Sequence, residues 1–174
     1  MSVTEAVGHA QPAAQTAGVA VAQPAAGSSA SSSHLALMVG EDRYLVDLAE
    51  AGEIVPVPPS SIQQVPLTRD WFLGVVNVRG ALFTVVDLAR FMGGSFTPLS
   101  KESRLLTMSP ALAFNATLVV TRMLGLRNSA TMTPLDEKPA LDKPWLTELY
   151  RDGEGQIWRR LSLSKLVAAS AFLM

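Results

Sequence analysis

The sequence predicts a mainly β fold of short strands with little helix. Three observations carry that prediction. Short apolar runs such as Leu35–Val39, Ala81–Val86 and Ala116–Thr121 recur along the chain. Gly, Pro, Asn and Asp punctuate the gaps between them. The helical patterns are short and few. Short strands at close spacing with frequent turn signals point to small barrels or a sandwich, and 174 residues are enough for one such domain.

The elements follow in order. Leu35–Val39 and Tyr44–Val46 flank Gly40-Glu41-Asp42, which reads as a hairpin. Glu53–Val57 is a third strand, stopped by Pro56, Pro58 and Pro59, which cannot donate within a ladder. Ser60–Arg69 is a polar loop. Asp70–Leu73 reads as a single helical turn with Asp70 as N-cap. Val75–Arg79 and Ala81–Val86 form the strongest strand pair and meet at Gly80. Asp87–Met92 is a short helix closed by Gly93-Gly94. Ser95–Ser103 is a loop, and Arg104–Met108 and Ala116–Thr121 are strands joined by the turn from Ser109 to Asn115. Met123–Leu126 continues as strand after a bend at Arg122. Thr131–Pro144, with three prolines, reads as an ordered loop. Trp145–Tyr150 and Gln156–Leu161 flank Asp152-Gly153-Glu154-Gly155, a second hairpin signal. Ser162 caps a final helix that buries Leu163, Leu166, Val167 and Phe172. The strand count is nine or ten.

Residues 1–33 differ from the rest. Ten are Ala and six are Ser, with no aromatic residue and no Leu or Ile. Such a segment buries too little apolar surface to offset the entropy of ordering, so disorder is expected for 1–33 and a folded domain for 34–174. A secretory signal is not expected, because the segment has no Lys or Arg and no long apolar core. A cytoplasmic protein is the expectation.

Composition excludes several chemistries. There is no Cys, which removes disulfides, thiolate zinc sites and thiol nucleophiles. Both histidines, His9 and His34, lie in or at the edge of the Ala/Ser-rich segment, which argues against histidine triads and histidine metal sites. Glu5 is the only charged residue before His34, so the body carries 14 charges of each sign. A neutral body offers no footprint for nucleic acid or an anionic membrane surface. No run reaches the roughly 18–20 apolar residues of a membrane span, so membrane insertion is not expected. Glycine-rich phosphate motifs and the Gly-x-Ser-x-Gly elbow are absent. The acidic residues Asp136, Glu137, Asp142, Asp152 and Glu154 fall in polar loops or turns and read as solvated. No cofactor and no catalytic group is expected. Trp71, Trp145 and Trp158 read as core anchors, with an interface role as the alternative.

Arg79 is the most informative residue. It sits in an otherwise apolar stretch from Gly74 to Leu88. A cation there must be exposed at a strand end or paired with a carboxylate. Two readings follow: a hairpin-tip arginine in water, or a fixed guanidinium completing a protein-binding surface. Val75, Val78 and Leu82 join such a surface only if they point outward, and period-2 alternation sets Val76 and Val78 against Val75 and Asn77.

The run Trp71-Phe72-Leu73-Gly74-Val75-Val76-Asn77-Val78-Arg79-Gly80, followed by Val85-Val86-Asp87-Leu88, resembles the signature of the CheW-like domain family. Tyr44–Asp47 and Glu53-Ile54 resemble its second and third strands. The stretches Trp71–Phe91, Met123–Asn128 and Trp145–Leu173 are most similar to the CheW-like adaptors of type IV pilus systems. Arg122 and the basic, aromatic run Gln156–Arg160 depart from the family's usual pattern.

The resemblance implies two intertwined five-stranded SH3-like barrels with short helices and a C-terminal helix. It implies a non-catalytic adaptor between the cytoplasmic tip of a methyl-accepting chemoreceptor and the regulatory domain of a CheA-type histidine kinase. The expected setting is the chemosensory system of type IV pili and twitching motility, with a flagellar chemotaxis pathway as the alternative. It carries the family's Glu–Arg functional pair onto Glu53 and Arg79. Asn77 and Gly80 join them as protein-binding residues: Gly80 permits positive φ, and Asn77 can satisfy backbone groups at the strand end. A reading of another class, a small ligand-binding barrel or hydrolase, would need a convergent polar pocket.

Overall fold

The computed structural model describes residues 32–58 and 62–173. The expectation of disorder for the first 33 residues therefore falls, up to residue 31, outside the described residues. Eleven strands and three short helices follow in the described chain: β1 (Ser33–Val39), β2 (Asp42–Asp47), β3 (Ala51–Pro56), β4 (Phe72–Val78), β5 (Ala81–Asp87), α1 (Leu88–Phe91), β6 (Arg104–Met108), β7 (Ala116–Val120), β8 (Arg122–Asn128), β9 (Thr133–Leu135), β10 (Leu146–Arg151), β11 (Ile157–Leu161), α2 (Leu163–Ala168) and α3 (Ser170–Leu173).

The strands form two sheets. One has six strands in the order β8-β1-β2-β11-β10-β9, the other five in the order β3-β6-β7-β5-β4. The expected mainly β, SH3-like architecture is found, but as sheets of six and five strands rather than two closed five-stranded barrels. The chain crosses between the sheets twice. It leaves the first after β2 for β3, and returns after β7 to β8. Thr121 is the switch point, where its N–H donates to the Met38 carbonyl at 2.9 Å.

Alternation builds the cores. Leu35, Leu37 and Val46 of the six-stranded sheet pack with Val86, Leu106 and Leu118 of the five-stranded sheet, and with Leu163, Leu166 and Phe172 from the C-terminal helices. A second cluster, with Val76, Val78, Val85, Leu105 and Val119, fills the five-stranded unit. A third, with Ala36, Leu45, Met132 and Trp158, fills the six-stranded one. Trp145 and Trp158 are buried, as a core role requires. Trp71 is half-buried and packs edge-on against Phe91, with ring centroids 5.2 Å apart.

Three local expectations are corrected. Asp70–Leu73 is not a helical turn. The Phe72 N–H donates to the Arg69 carbonyl in a tight turn, and the Trp71 carbonyl accepts from Asp87, so the strand ladder has already claimed this backbone. The Asp70 carboxylate takes the Arg90 guanidinium instead of a helix N-terminus. Within Thr131–Pro144, Thr133–Leu135 is a strand, because β10 leaves an open edge that it pairs. The final helix is broken at Ala169, which is extended (φ −73°, ψ 128°). The break turns Phe172 into an aromatic cluster, 5.3 Å from Phe91, 5.8 Å from Phe114 and 6.1 Å from Trp71 by ring centroid.

Of the two expected caps, Ser162 is found and Asp70 is not, and a cap that the sequence did not announce lies at Asp87. Asp87 is the N-cap of α1 and accepts from the Arg90 N–H. The Ser162 hydroxyl accepts from the Lys165 N–H at the start of α2. Glu50, in the link between β2 and β3, adds a second cap: its carboxylate accepts the Leu163 N–H at 2.6 Å and the Ser164 hydroxyl at 2.5 Å.

Candidate protein-docking site

The β4–β5 hairpin closes through only two residues, Arg79 and Gly80. Both have positive φ, 50° and 86°. That is the conformation of a type I′ turn, whose twist matches the flanking strands. Gly80 accepts it without cost, whereas arginine does so against its steric preference. The Asn77 side-chain oxygen accepts the Gly80 N–H at 2.9 Å and holds the turn.

The turn aims the Arg79 side chain at β3. Its Nε donates to Glu53 Oε1 at 2.5 Å. Glu53 is positioned in turn by its own N–H, which donates to the Thr107 hydroxyl of β6 at 2.6 Å. Gly52 just before it lies against the Thr107 and Met108 backbone, where a Cβ would collide. The structure thus brings Glu53, Asn77, Arg79 and Gly80 to one place, although 26 residues separate Glu53 from Arg79.

The pair is open to water. The Arg79 side chain is 79% exposed and that of Glu53 36%. An exposed ion pair contributes little to stability, about 0–1 kcal/mol. Among the described residues only Nε is engaged, which leaves the terminal nitrogens of the guanidinium as a fork suited to a carboxylate or carbonyl. Leu82, 61% exposed, stands on the same hairpin two residues after Gly80. Leu82 is the cross-strand partner of Asn77 and shares its outward face. Val75 is half-buried and Val78 is buried in the core of the five-stranded unit, so of the three apolar candidates Leu82 is the one that faces fully outward.

Gly74 shapes the other half of the hairpin, and its role was not visible in the sequence motif alone. Its φ is 135°, and a Cβ there would collide with the Gln63 carbonyl. The close approach lets Gln63 exchange both backbone hydrogen bonds with Val75, at 2.8 and 2.9 Å. Sequence reasoning also missed the buried carboxylate of Asp87. It accepts the Thr97 N–H at 2.7 Å and the Thr97 hydroxyl at 2.9 Å, anchoring the loop after α1.

Ionisable groups with displaced protonation lie in the six-stranded unit. Burial pushes the Tyr44 hydroxyl up to about 12. The Arg160 hydrogen bond holds the Glu148 carboxyl below its ordinary range. The Trp158 indole N–H, at 2.8 Å, does the same for Asp152 in the β10–β11 turn. These groups brace strands and a turn. Among the described residues no cluster of His, Asp or Glu is arranged to hold a metal ion, and no helix is long and apolar enough to cross a membrane.

Comparison with known proteins identifies the family. A family profile described as the CheW-like domain covers residues 33–171. The chain belongs to the CheW-like domain family. Protein PilI of Pseudomonas aeruginosa is 30% identical over 144 residues, which cover 81% of this chain and 78% of that protein. The crystal structure of the scaffolding protein TtCheW from Thermoanaerobacter tengcongensis superposes with a TM-score of 0.65, at 20% identity, over 82% of this chain and 96% of that one. At that identity the likeness concerns the fold. In this CheW-like domain, the Asn-x-Arg-Gly segment is the type I′ turn, and the glutamate of the third strand is the group that meets its arginine.

Proposed function

We propose that this CheW-like protein is a non-catalytic, cytoplasmic signalling adaptor. It couples the tip of a methyl-accepting chemoreceptor to the regulatory domain of a CheA-type histidine kinase, in the chemosensory system of type IV pili and twitching motility. Glu53, Asn77, Arg79 and Gly80 form part of its protein-binding surface. The observation that carries this reading is the exposed Glu53–Arg79 pair on a strained two-residue turn. Such a turn costs backbone energy, and its ion pair returns little in water. A fixed guanidinium fork beside the exposed Leu82 gains its use when a partner removes the water. The identity to PilI supports the pilus setting over a flagellar one.

Calorimetric titration of the full chain against the pilus-system kinase regulatory domain, and separately against the receptor's cytoplasmic tip, tests the proposal. Micromolar or tighter binding is expected to both. Arg79→Ala is expected to weaken at least one of them by about tenfold or more while leaving the circular dichroism spectrum unchanged. Binding to a flagellar kinase but not to the pilus one would reassign the pathway. Binding to neither would remove the adaptor reading.

A further inference from the structure

Arg79, Arg90, Arg159 and Arg160 each meet a carboxylate. Arg43, Arg122 and Arg127 lie on one face of the six-stranded sheet and make no ion pair among the described residues. Arg122, Met38, Arg43 and Trp158 are cross-strand partners in a single row over β8, β1, β2 and β11. Partners directly opposite share a face, so Arg122 and Arg43 stand on the same side as the Trp158 indole. A bulge brings Arg127 to that side too. Arg127 is five residues after Arg122, a spacing that sets two side chains on opposite faces of a regular strand. Leu124 has no partner on β1, because Met123 lies opposite Leu37 and Gly125 opposite Ala36. The extra residue reverses the alternation, and Gly125 takes a φ of 82° at the bulge. Arg127 therefore stands opposite His34, on the face of Ala36 and Met38, with its guanidinium 5.9 Å from the centroid of the Trp158 ring.

The three cations rest on weak partners. Arg122 donates through Nε to the Met38 thioether at 3.2 Å, and a thioether is a weak acceptor. Arg127 lies over an indole. The Arg43 guanidinium has no hydrogen bond or ion pair among the described residues. The carboxylates on this face are already engaged. Asp47 and Glu148 are held by Arg160. Asp152 accepts the Trp158 indole N–H and the backbone N–H groups of Glu154 and Gln156. Glu41 and Glu154, in the β1–β2 and β10–β11 turns, bound the face at the end where Arg43 lies.

We propose that this face binds a short acidic segment of a partner protein, whose carboxylates meet Arg43, Arg122 and Arg127. The row from Arg122 to Trp158 crosses three strand spacings, about 14 Å. Cations spread along such a row suit several carboxylates of one segment better than one small anion. The acidic turns at its end repel a long polyanion such as nucleic acid and favour a short segment. The chain's own first 31 residues carry a single acid, Glu5, and cannot supply that segment. The face belongs to the six-stranded sheet, so the inference does not depend on what engages Glu53 and Arg79 on the other.

Titration of the ¹⁵N-labelled full chain with hexaglutamate, and separately with hexalysine, tests it. Hexaglutamate is expected to shift the Nε–H resonances of Arg43, Arg122 and Arg127, and to bind more weakly as salt rises. Hexalysine is expected to leave those resonances unmoved. Arg122→Gln and Arg127→Gln, both at exposed positions, are each expected to weaken hexaglutamate binding about threefold, and the double variant about tenfold or more. Arg69→Gln removes the same charge from the loop before β4 and is expected to leave the affinity unchanged. An equal loss from Arg69→Gln would reduce the effect to net charge and overturn the proposal. So would unmoved arginine resonances, or tighter binding of inorganic tripolyphosphate than of hexaglutamate, which would assign the face to phosphate. A concentration-dependent dimer in sedimentation that Arg122→Glu abolishes would overturn it as well, by assigning the face to a second copy.

Discussion

Glu53 and Arg79 sit at the two open edges of the five-stranded sheet, and their side chains meet across the gap. Glu53 belongs to β3, the first strand in sheet order, and Arg79 to the turn that ends β4, the last. Further along β4, the segment that follows β3 meets the same edge, where Gln63 pairs with Val75. One end of the seam is held by peptide groups and the other by an exposed ion pair.

That division predicts a separation of effects at the pair. Glu53→Ala and Arg79→Ala are each expected to shift stability by no more than about 1 kcal/mol, because the pair is exposed and the seam is held elsewhere. A double-mutant cycle in urea would measure their coupling. Both variants are expected to bind partner more weakly. A stability loss of several kcal/mol with unchanged binding would make the pair structural.

Gly74→Ala strikes the backbone half of the seam. The added Cβ must occupy the space of the Gln63 carbonyl, at a φ that alanine resists. More than about 1 kcal/mol of destabilisation is expected from a urea midpoint, and faster amide exchange at Val75.

Asp87→Ala removes an N-cap and leaves the Thr97 N–H and hydroxyl without their buried acceptor. Cap loss and an unsatisfied buried donor together predict a loss of about 2–4 kcal/mol. Asp87→Asn, which keeps one acceptor oxygen, is expected to lose less. Equal losses in the two variants would show that charge, not hydrogen-bond geometry, matters there.

Tyr44 predicts an alkaline limit. Its folded pKa of about 12 lies above the ordinary value of 10.0, so the unfolded chain releases the phenolic proton first. Stability from this group is complete below pH 10 and falls as pH rises toward 12, by about 2–3 kcal/mol over the window. Tyr44→Phe is expected to flatten that part of the stability profile. Parallel profiles for the variant and the parent would refute the assignment.

The strands were legible because their apolar runs are bounded by turn formers. The first hairpin, the β4–β5 pair, β6, β7 and the β10–β11 hairpin fall where Val, Leu and Ile alternate between such signals. The closing contacts were not legible, because they join residues distant in sequence. Nothing near Gln63 announces a bridge to Val75, and nothing near Asp87 announces Thr97. Asp70 misled because an acidic residue before an apolar run is also how a helix begins, and only the prior claim of Asp87 on the Trp71 carbonyl decides between the two. The candidate site was legible in part. Arg79 stands out as a lone cation, and Gly80 and Asn77 follow from turn chemistry. Glu53 came from family likeness, since local sequence gives no reason to join it to a turn 26 residues away.

The twofold passage of the chain between the sheets bears on how the molecule yields under load. β3 reaches its sheet only through a link whose Glu50 is fastened to the start of α2, and β8 enters its sheet directly from β7. No single cut separates the halves into two complete sheets. The halves are therefore expected to melt in one cooperative step, with no state in which one is lost and the other kept. A protein grasped from two sides then passes a displacement from one side to the other as a rigid strut, with no hinge in the middle to absorb it.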